Sequence, residues 1–276
     1  MHTKVTLNIL LLVILFLQLT GCATTHHYHH RYTMANDGAP PPGSIDVSNV
    51  PDAVPKVEPL SKYGNPPSYD ALGHRYYVMK SCKGYDERGI ASWYGMKFSQ
   101  FRTSSGEPYN MSAMTAAHKT LPLPTYVQVT NLQNGKQAIV KVNDRGPFVS
   151  NRIIDLSYAA AVRLGVYAHG TALVEVKAID PTHPESVVSQ VPQAAVPGHP
   201  QLYLQVGAFS VRSNADRLVP QVKQWTQYPV IVKEVQINGR TICRVQIGPL
   251  PNVDISDDLY DHLEKAGLGK PHTVVE

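Results

Sequence analysis

A proline-rich stretch divides the chain and limits what either side of it can fold into. Between residues 181 and 200 the sequence contains Pro184, Pro192 and Pro197 and no sustained apolar pattern. Prolines at this density favour extended, semi-rigid backbone, because the ring fixes φ and removes a hydrogen-bond donor. We therefore predict a linker at residues 181–200 between two folded domains, at residues 76–180 and 201–276.

The first domain is predicted to be a small closed β-barrel. Short alternating runs indicate strands at residues 126–130 and 138–142. Asn134 and Gly135 between them signal a hairpin, since both tolerate positive φ. A helix is predicted at residues 158–164, with Ser157 as its N-cap and Gly165 as its end. Many short strands with a single short helix are typical of a barrel.

The second domain has a different pattern, in which predicted strands alternate with predicted helices. Its pattern predicts strands at residues 203–209, 230–236, 240–247 and 272–275, and helices at residues 214–225 and 257–266. Asn238 and Gly239 signal a hairpin between the second and third strands. The resulting order is β-α-β-β-α-β, which predicts a small α+β domain of ferredoxin-like type.

The N-terminus reads as a secretion signal at residues 1–21. Its apolar run at residues 9–17 is shorter than the about 20 residues that cross a bilayer. The sequence LTGC follows and resembles the lipobox of bacterial lipoproteins, which implies lipidation of Cys22. The alternative is an ordinary signal peptide with a chance cysteine. Ala23 after the cysteine implies, by analogy with lipoprotein sorting, the periplasmic face of the outer membrane.

Residues 22–75 are predicted to be a lipidated N-terminus and flexible tether. Their first part is rich in His, Pro, Gly, Asn and Ser and offers too little apolar surface to offset chain entropy. The histidine run at residues 26–30 has the chemistry of a metal ligand, but a flexible tether holds no coordination geometry. We expect a polar spacer there, and neither a metal nor a cofactor in the protein's function.

The net charge limits the classes of binding partner, and the positions of the cysteines indicate whether they form a disulfide. The formal net charge is +4, and +3 without residues 1–21. This mild excess argues against nucleic acid, which calls for a concentrated basic stripe. Cys82 and Cys243 fall in different predicted domains, which favours two separate, mostly buried thiols over a disulfide.

Three candidate proton-transfer residues stand in the first domain. Glu107 lies in TSSGEP, His118 in TAAHK and Asp144 in VNDRGP. Two carboxyls and an imidazole, bracketed by glycine, proline and hydroxyl residues, suit acid/base chemistry in a loop-lined cleft. Singly they have structural alternatives: a turn aspartate, a solvated loop glutamate and a framework histidine.

The same residues carry a family resemblance. The sequences GIASWYG at 89–95, TSSGE at 103–107, MTAAHKTLP at 114–122, VNDRGP at 142–147 and RIIDLSYAAA at 152–161 resemble the rare lipoprotein A (RlpA) family. The resemblance implies a six-stranded double-psi β-barrel and a lytic transglycosylase, in which the 6-hydroxyl of the muramic sugar attacks its own anomeric carbon. It implies that Asp144 is the general acid/base. Glu107 would raise the pKa of Asp144 or stabilise the cation, and His118 would orient a carboxyl or bind substrate.

The second domain resembles the SPOR domain in LQVGAF at 204–209 and RVQIGP at 244–249. SPOR domains bind septal peptidoglycan strands that lack stem peptides. By this resemblance Gln205 and Arg244 contact glycan, and Ile242 occupies a position where an aromatic residue often stands. Strand alternation places Ile242, Arg244 and Gln246 on one face, opposite Cys243.

These observations predict an outer-membrane lipoprotein, most simply a monomer, that cleaves peptide-free glycan at the division septum. Its partners would be glycan strands, the membrane through Cys22 and septal division proteins. One alternative is a non-catalytic glycan-binding protein, since double-psi barrels also occur in expansin-like proteins. Another is a two-carboxyl hydrolase, which would leave reducing ends instead of 1,6-anhydro ends.

Overall fold

The computed structural model of the protein describes residues 37–99, 101–149, 151–182 and 200–276. The predicted signal peptide at residues 1–21, the lipidation site Cys22 and the histidine run at residues 26–30 lie outside these residues, as does most of the predicted linker. Within the described ranges, no helix is long and apolar enough to cross a membrane.

Part of the predicted flexible tether is packed against the barrel. Val47 is buried in the barrel's main apolar cluster, and the backbone N–H of Ser61 donates to the carbonyl of Leu123 at 2.8 Å. Asn65 brackets Leu123, accepting from its N–H at 2.8 Å and donating to its carbonyl at 2.7 Å. The segment needs few apolar side chains because barrel residues satisfy its backbone and amide groups. It leads into a hairpin of β1 (Ser68–Ala71) and β2 (His74–Tyr77).

Six strands close the predicted barrel, and the double-psi fold is confirmed. They are β3 (Asp86–Trp93), β4 (Thr115–His118), β5 (Thr125–Asn131), β6 (Gln137–Asp144), β7 (Arg152–Leu156) and β8 (Ala172–Ala178). Around the barrel the order is β3-β7-β4-β6-β5-β8. The pairs β3/β7 and β4/β6 are parallel and the others antiparallel. The interior is filled by Ala, Val, Ile and Leu side chains from alternate strand positions.

The predicted hairpin and helix of this domain are both present. β5 and β6 pair antiparallel around Asn134-Gly135, and Gly135 has a φ of 73°. The helix α1 spans Tyr158–Leu164; the hydroxyl of Ser157 accepts from the N–H of Ala160, and Gly165 ends the helix in the left-handed region.

The C-terminal domain has the predicted β-α-β-β-α-β order. Its elements are β9 (Leu202–Phe209), α2 (Arg212–Lys223), β10 (Val230–Ile237), β11 (Arg240–Leu250), α3 (Val253–Lys265) and β12 (His272–Val275). The antiparallel sheet has the order β10-β11-β9-β12, as in ferredoxin-like folds. Asn238 and Gly239 both have positive φ in the turn between β10 and β11. Cys243, Val245 and Ile247 are buried on the predicted core side of β11, and neither Cys82 nor Cys243 forms a disulfide.

The two domains meet through polar contacts beside β7. Arg152, whose side chain is 8% exposed, forms a two-bonded ion pair with Asp257 at the start of α3. Next to it, the amide of Asn151 donates to Ser256 and Asp257 at 3.1 and 3.3 Å. A nearly buried arginine requires such a partner, so this pair fixes where α3 sits on the barrel.

Candidate active site

A bulge in β6 determines which way Asp144 points. Val142 pairs with Ala116, and both belong to the barrel interior, but the next pairing joins Ala117 to Asp144 and omits Asn143. In a regular strand Asp144 would face the same side as Val142, since side chains alternate. The extra residue turns Asp144 outward instead, onto the face that Ala117 occupies.

The carboxylate of Asp144 is bound on one oxygen only. Its Oδ1 accepts from the N–H of Ser104 at 2.7 Å, from the hydroxyl of Ser104 at 2.6 Å and from the N–H of Arg145 at 2.7 Å. Among the described residues, Oδ2 has no hydrogen-bond partner. The group is therefore held firmly while one oxygen stays available to carry a proton and face a ligand.

Burial raises the pKa of Asp144 above its ordinary value, although the hydrogen bonds from Ser104 and Arg145 and the charge of Arg145 oppose the shift. The sequence motifs suggested that the negative charge of Glu107 would raise this pKa, but Glu107 is not among the causes of the shift. Desolvation is the cause here. A raised pKa keeps a larger share of the group protonated near neutral pH, as a general acid requires.

Glu107 does not contact Asp144, because both of its carboxylate oxygens accept hydrogen bonds from other side chains. Its Oε1 accepts from the ammonium of Lys141 at 2.9 Å and its Oε2 from the amide of Asn143 at 2.7 Å. Burial raises the pKa of Glu107, but the bonds from Asn143 and Lys141 outweigh burial and leave it below its ordinary value. Glu107 is thus an ionised carboxylate, suited to stabilise positive charge or accept a sugar hydroxyl and unsuited to donate a proton.

His118 is buried with both ring nitrogens occupied. Nδ1 accepts from the N–H groups of Thr120 and Leu121 at 3.1 and 3.0 Å, so the ring proton is on Nε2, which donates to the hydroxyl of Tyr85 at 2.8 Å. Burial, then the charges of Arg145 and Lys119, lower the pKa of His118 to about 3. These contacts fit the framework alternative; a part in orienting a carboxyl or binding substrate stays a prediction.

The guanidinium of Arg145 points away from Asp144. It donates to the carbonyls of Gly64, His118 and Leu121, at 2.9, 3.1 and 2.6 Å, and to Oδ1 of Asn65 at 3.2 Å. Arg145 thereby joins the packed N-terminal segment to the loop that follows β4. Adjacent residues of an extended chain project to opposite sides, and the side chains of Arg145 and Asp144 are accordingly not hydrogen-bonded to each other.

Two tyrosines and a further aspartate complete the outer face. Tyr94 and Tyr109 are buried and stacked, with ring centroids 4.4 Å apart, and pack with Ala117. Asp155 on β7 lies beside them. Sequence reasoning gave Asp155 no role, although it stands within the RIIDLSYAAA motif at residues 152–161, and this motif was the signal that could have found it.

On the C-terminal domain, the predicted glycan residues share one face of the sheet. Arg244 pairs with Ala208 and Gln246 with Gln205, opposite the buried Cys243 side. Gln205 and Arg244 line a cleft of about 940 Å³ that also includes His118 and Lys119 of the barrel. Ile242 does not line it. Gln246 is fully buried, and its amide has no hydrogen-bond partner within the described part of the chain.

Comparisons with known proteins match both domains. A family model described as lytic transglycolase matches residues 86–176, and a SPOR domain model matches residues 199–270. The endolytic peptidoglycan transglycosylase RlpA of Pseudomonas aeruginosa (strain UCBPP-PA14) is 40% identical over 289 aligned residues, covering 86% of this chain and 84% of that protein. The chain belongs to the RlpA family.

A second curated relative supports the same assignment, and a solved domain matches the C-terminal part of the chain. The endolytic peptidoglycan transglycosylase RlpA of Vibrio cholerae serotype O1 is 38% identical and covers 94% of each chain. The solved SPOR domain of RlpA from Pseudomonas aeruginosa is 36% identical, covering 26% of this chain and 96% of that one at a TM-score of 0.26. The resemblance that the sequence motifs indicated is confirmed. The roles of Asp144, Glu107, His118, Gln205, Ile242 and Arg244 remain predictions.

Proposed function

We propose that this RlpA-family protein is an endolytic lytic transglycosylase of peptidoglycan, with Asp144 as its general acid/base. The observation that carries the proposal is the environment of Asp144: a partly buried carboxyl of raised pKa, anchored through Oδ1 and without a partner at Oδ2 among the described residues. The relatives named as endolytic peptidoglycan transglycosylases support the reaction.

The proton on Oδ2 of Asp144 passes to the glycosidic oxygen as the bond to the anomeric carbon of N-acetylmuramic acid breaks. The same carboxylate then accepts the proton of the 6-hydroxyl, which attacks that carbon and closes a 1,6-anhydro ring. One carboxyl serves both transfers, and no water is consumed. The three donors on Oδ1 stabilise the carboxylate between the two steps.

Glu107 supplies fixed negative charge near the developing cation. Lys141 and Asn143 hold both its oxygens and keep it ionised. Such preorganised charge stabilises an oxocarbenium-like transition state without moving a proton.

The proposal extends to where the enzyme works. The SPOR match supports binding to peptidoglycan, for which we propose peptide-free glycan as the ligand and Gln205, Ile242 and Arg244 as contacts. Lipidation of Cys22 would fix the protein to the periplasmic face of the outer membrane, and the SPOR domain would concentrate it at the division septum. Septal division proteins are candidate partners.

The test is mass spectrometry of glycan strands, intact and stripped of stem peptides, after incubation with residues 23–276 of the protein and with the Asp144→Asn variant. We expect 1,6-anhydro-ended fragments from the wild type and a loss of at least about 10³-fold in the variant, since asparagine cannot transfer the proton. Glycan binding should be unchanged in the variant.

Two other results would replace the proposal. Reducing ends would indicate a hydrolase that uses two carboxyls. Unbroken strands that still bind the protein would favour the non-catalytic alternative.

A further inference from the structure

Four neighbouring strands carry one row of residues on the outer face of the barrel. Ala117 on β4 pairs with Asp144 on β6 and, on its other side, with Asp155 on β7. Asp155 in turn pairs with Ser92 on β3. Directly paired residues project to the same face, so the row reads Asp144, Ala117, Asp155, Ser92.

The spacing of this row suits a sugar. Two strand separations of about 4.8 Å place the Cα atoms of Asp144 and Asp155 about 10 Å apart. Asp144 and Asp155 are both partly exposed, whereas Ala117 between them is buried in a cluster with Tyr94 and Tyr109. In glycosidases, two carboxyls about 6.5–9.5 Å apart act on opposite faces of one sugar.

Asp155 is held in the same way as Asp144. Its Oδ1 accepts from the hydroxyl of Ser92 at 2.7 Å, as Oδ1 of Asp144 accepts from Ser104. Within the described ranges, Oδ2 of Asp155 has no hydrogen-bond partner. Arg152, three residues earlier, is hydrogen-bonded to Asp257 and forms no ion pair with Asp155. Each aspartate therefore has one oxygen that accepts hydrogen bonds and one that has no partner among the described residues.

The surroundings of Asp155 do not explain it as a structural residue. The charged and titratable groups near it are Asp37, Tyr94, Tyr109, Lys119, Asp144 and Arg152. A carboxyl that served only the fold would pair with one of the two cations. Burial first, with smaller contributions from the like charges of Asp37 and Asp144, raises the pKa of Asp155 to about 6. The group is ionised at neutral pH at a cost to folding.

We propose that Asp155 is a second catalytic carboxyl, whose ionised form accepts a hydrogen bond from the acetamido N–H of the sugar that reacts at Asp144. This role rests on the proposed transglycosylase function. Both sugars of peptidoglycan carry an acetamido group at C2, next to the anomeric carbon. On the side opposite the departing oxygen, the carbonyl of that group is placed to bond the anomeric carbon.

The step balances without water or any other reactant. The acetamido oxygen bonds to C1 as the C1–O4 bond breaks, and Asp144 gives its proton to O4. The positive charge of the resulting oxazolinium ring is shared with its N–H, which Asp155 stabilises. The 6-hydroxyl oxygen then attacks C1, the bond from the acetamido oxygen to C1 breaks, and the hydroxyl proton returns to Asp144.

The test compares initial rates of anhydro-end formation between pH 4.5 and 8 for residues 23–276 and for the Asp155→Asn variant. We expect the variant to lose about 10²-fold in kcat, the size of effect seen when one stabilising group is removed. The wild type should lose activity below about pH 6 as Asp155 becomes protonated, and this acid limb should be absent from the variant. Asp70→Asn, an exposed aspartate on β1, is the matched control and should be unchanged.

A second variant covers the case in which Asp155→Asn misfolds. Ser92→Ala removes the bond that lowers the pKa of Asp155, so the acid limb should move to higher pH while the rate at pH 8 is retained. The Asp155→Asn variant should also melt at or above the wild-type Tm at pH 7, because folding disfavours the charged form.

The outcomes separate the two proposals. An active wild type with an equally active Asp155→Asn variant overturns the role of Asp155 alone, and so does an acid limb that Ser92→Ala leaves in place. A wild type that releases no fragments overturns the proposed function and the role of Asp155 with it.

Discussion

His118 illustrates how burial decides the state of a single residue. Its ring is 4% exposed, and the N–H groups of Thr120 and Leu121 occupy the nitrogen that would otherwise take up a proton. A charged imidazole there would lose its hydration. Its Nδ1–H would also point at the N–H groups of Thr120 and Leu121, which are donors themselves. His118 is therefore neutral throughout the range in which the enzyme would work.

We predict that His118 keeps its Nε2–H form down to pH 5, which the 15N shifts of its ring will show. The pKa falls from 6.5 to about 3 on folding, so the unfolded state binds the extra proton first. Stability should then fall as pH drops from 6.5 toward 3, by up to about 1.4 kcal/mol per pH unit from this residue. His118→Gln should remove that slope in denaturant titrations. A ring that titrates near pH 6.5 would contradict the prediction.

At this scale, sequence reasoning found the residue types and missed their surroundings. The motifs identified Asp144 and Glu107, but nothing in them showed that Lys141 and Asn143 would hold both oxygens of Glu107. Asp155 stood in a quoted motif and received no role. Its significance depends on pairing across β4 and β7, which are separated by more than thirty residues.

The N-terminal segment shows how an element can form without its own hydrophobic pattern. The backbone of Gly95 lies very close to this segment: a Cβ built on Gly95 would be 2.1 Å from the carbonyl oxygen of Gly38. Asp37 secures the same contact by accepting from the N–H of Gly95 at 2.7 Å. Because both partners are backbone, the approach leaves no room for a larger residue.

We predict that Gly95→Ala displaces the segment around Gly38 and lowers stability by about 1 to 3 kcal/mol, as overpacking typically does. Hydrogen exchange measured by mass spectrometry should show faster exchange at residues 37–47. Gly38→Ala is the matched control, because a Cβ on Gly38 meets nothing within 4 Å. Equal exchange in the two variants would mean that the contact does not hold the segment.

Elements with their own periodicity were the predictable ones. The helix at Tyr158–Leu164 and the hairpin at Asn134-Gly135 appear where local capping and turn chemistry put them. The β1–β2 hairpin and residues 37–65 were not predicted, because their partners are distant backbone groups. The bulge at Asn143 was equally hidden, since it exists only in the register between β4 and β6.

The pairing of Arg152 with Asp257 joins the two domains, in addition to an apolar cluster that contains Ile90, Leu132 and Leu173 of the barrel together with residues of the C-terminal domain. Arg152 is nearly buried on the barrel, and its partner is on the C-terminal domain. Losing the acid leaves a buried guanidinium uncompensated, which is costly. The pair therefore holds the sheet face with Gln205 and Arg244 toward the barrel.

We predict that Asp257→Asn weakens this contact by about 1 to 2 kcal/mol, a modest figure because Asp257 is itself about one-third exposed. Small-angle X-ray scattering should then show a larger radius of gyration. Asp258→Asn, an exposed neighbour with the same change of charge, should leave the scattering curve as it is. Identical curves for all three proteins would show that other contacts hold the domains.

The packed N-terminal segment also limits how far the barrel can lie from a membrane anchor at Cys22. If Cys22 is lipidated, the covalent path from the membrane to Asp37, the first described residue and one that contacts the barrel, is only fifteen residues. Whatever its conformation, that path spans at most about 50 Å, whereas a free chain as far as β1 would reach about 150 Å. On the proposal that Cys22 anchors the protein in the outer membrane, folding residues 37–65 onto the barrel would confine cleavage to the part of the wall nearest that membrane. Lengthening the chain after Cys22 would then let cleavage occur deeper in the wall.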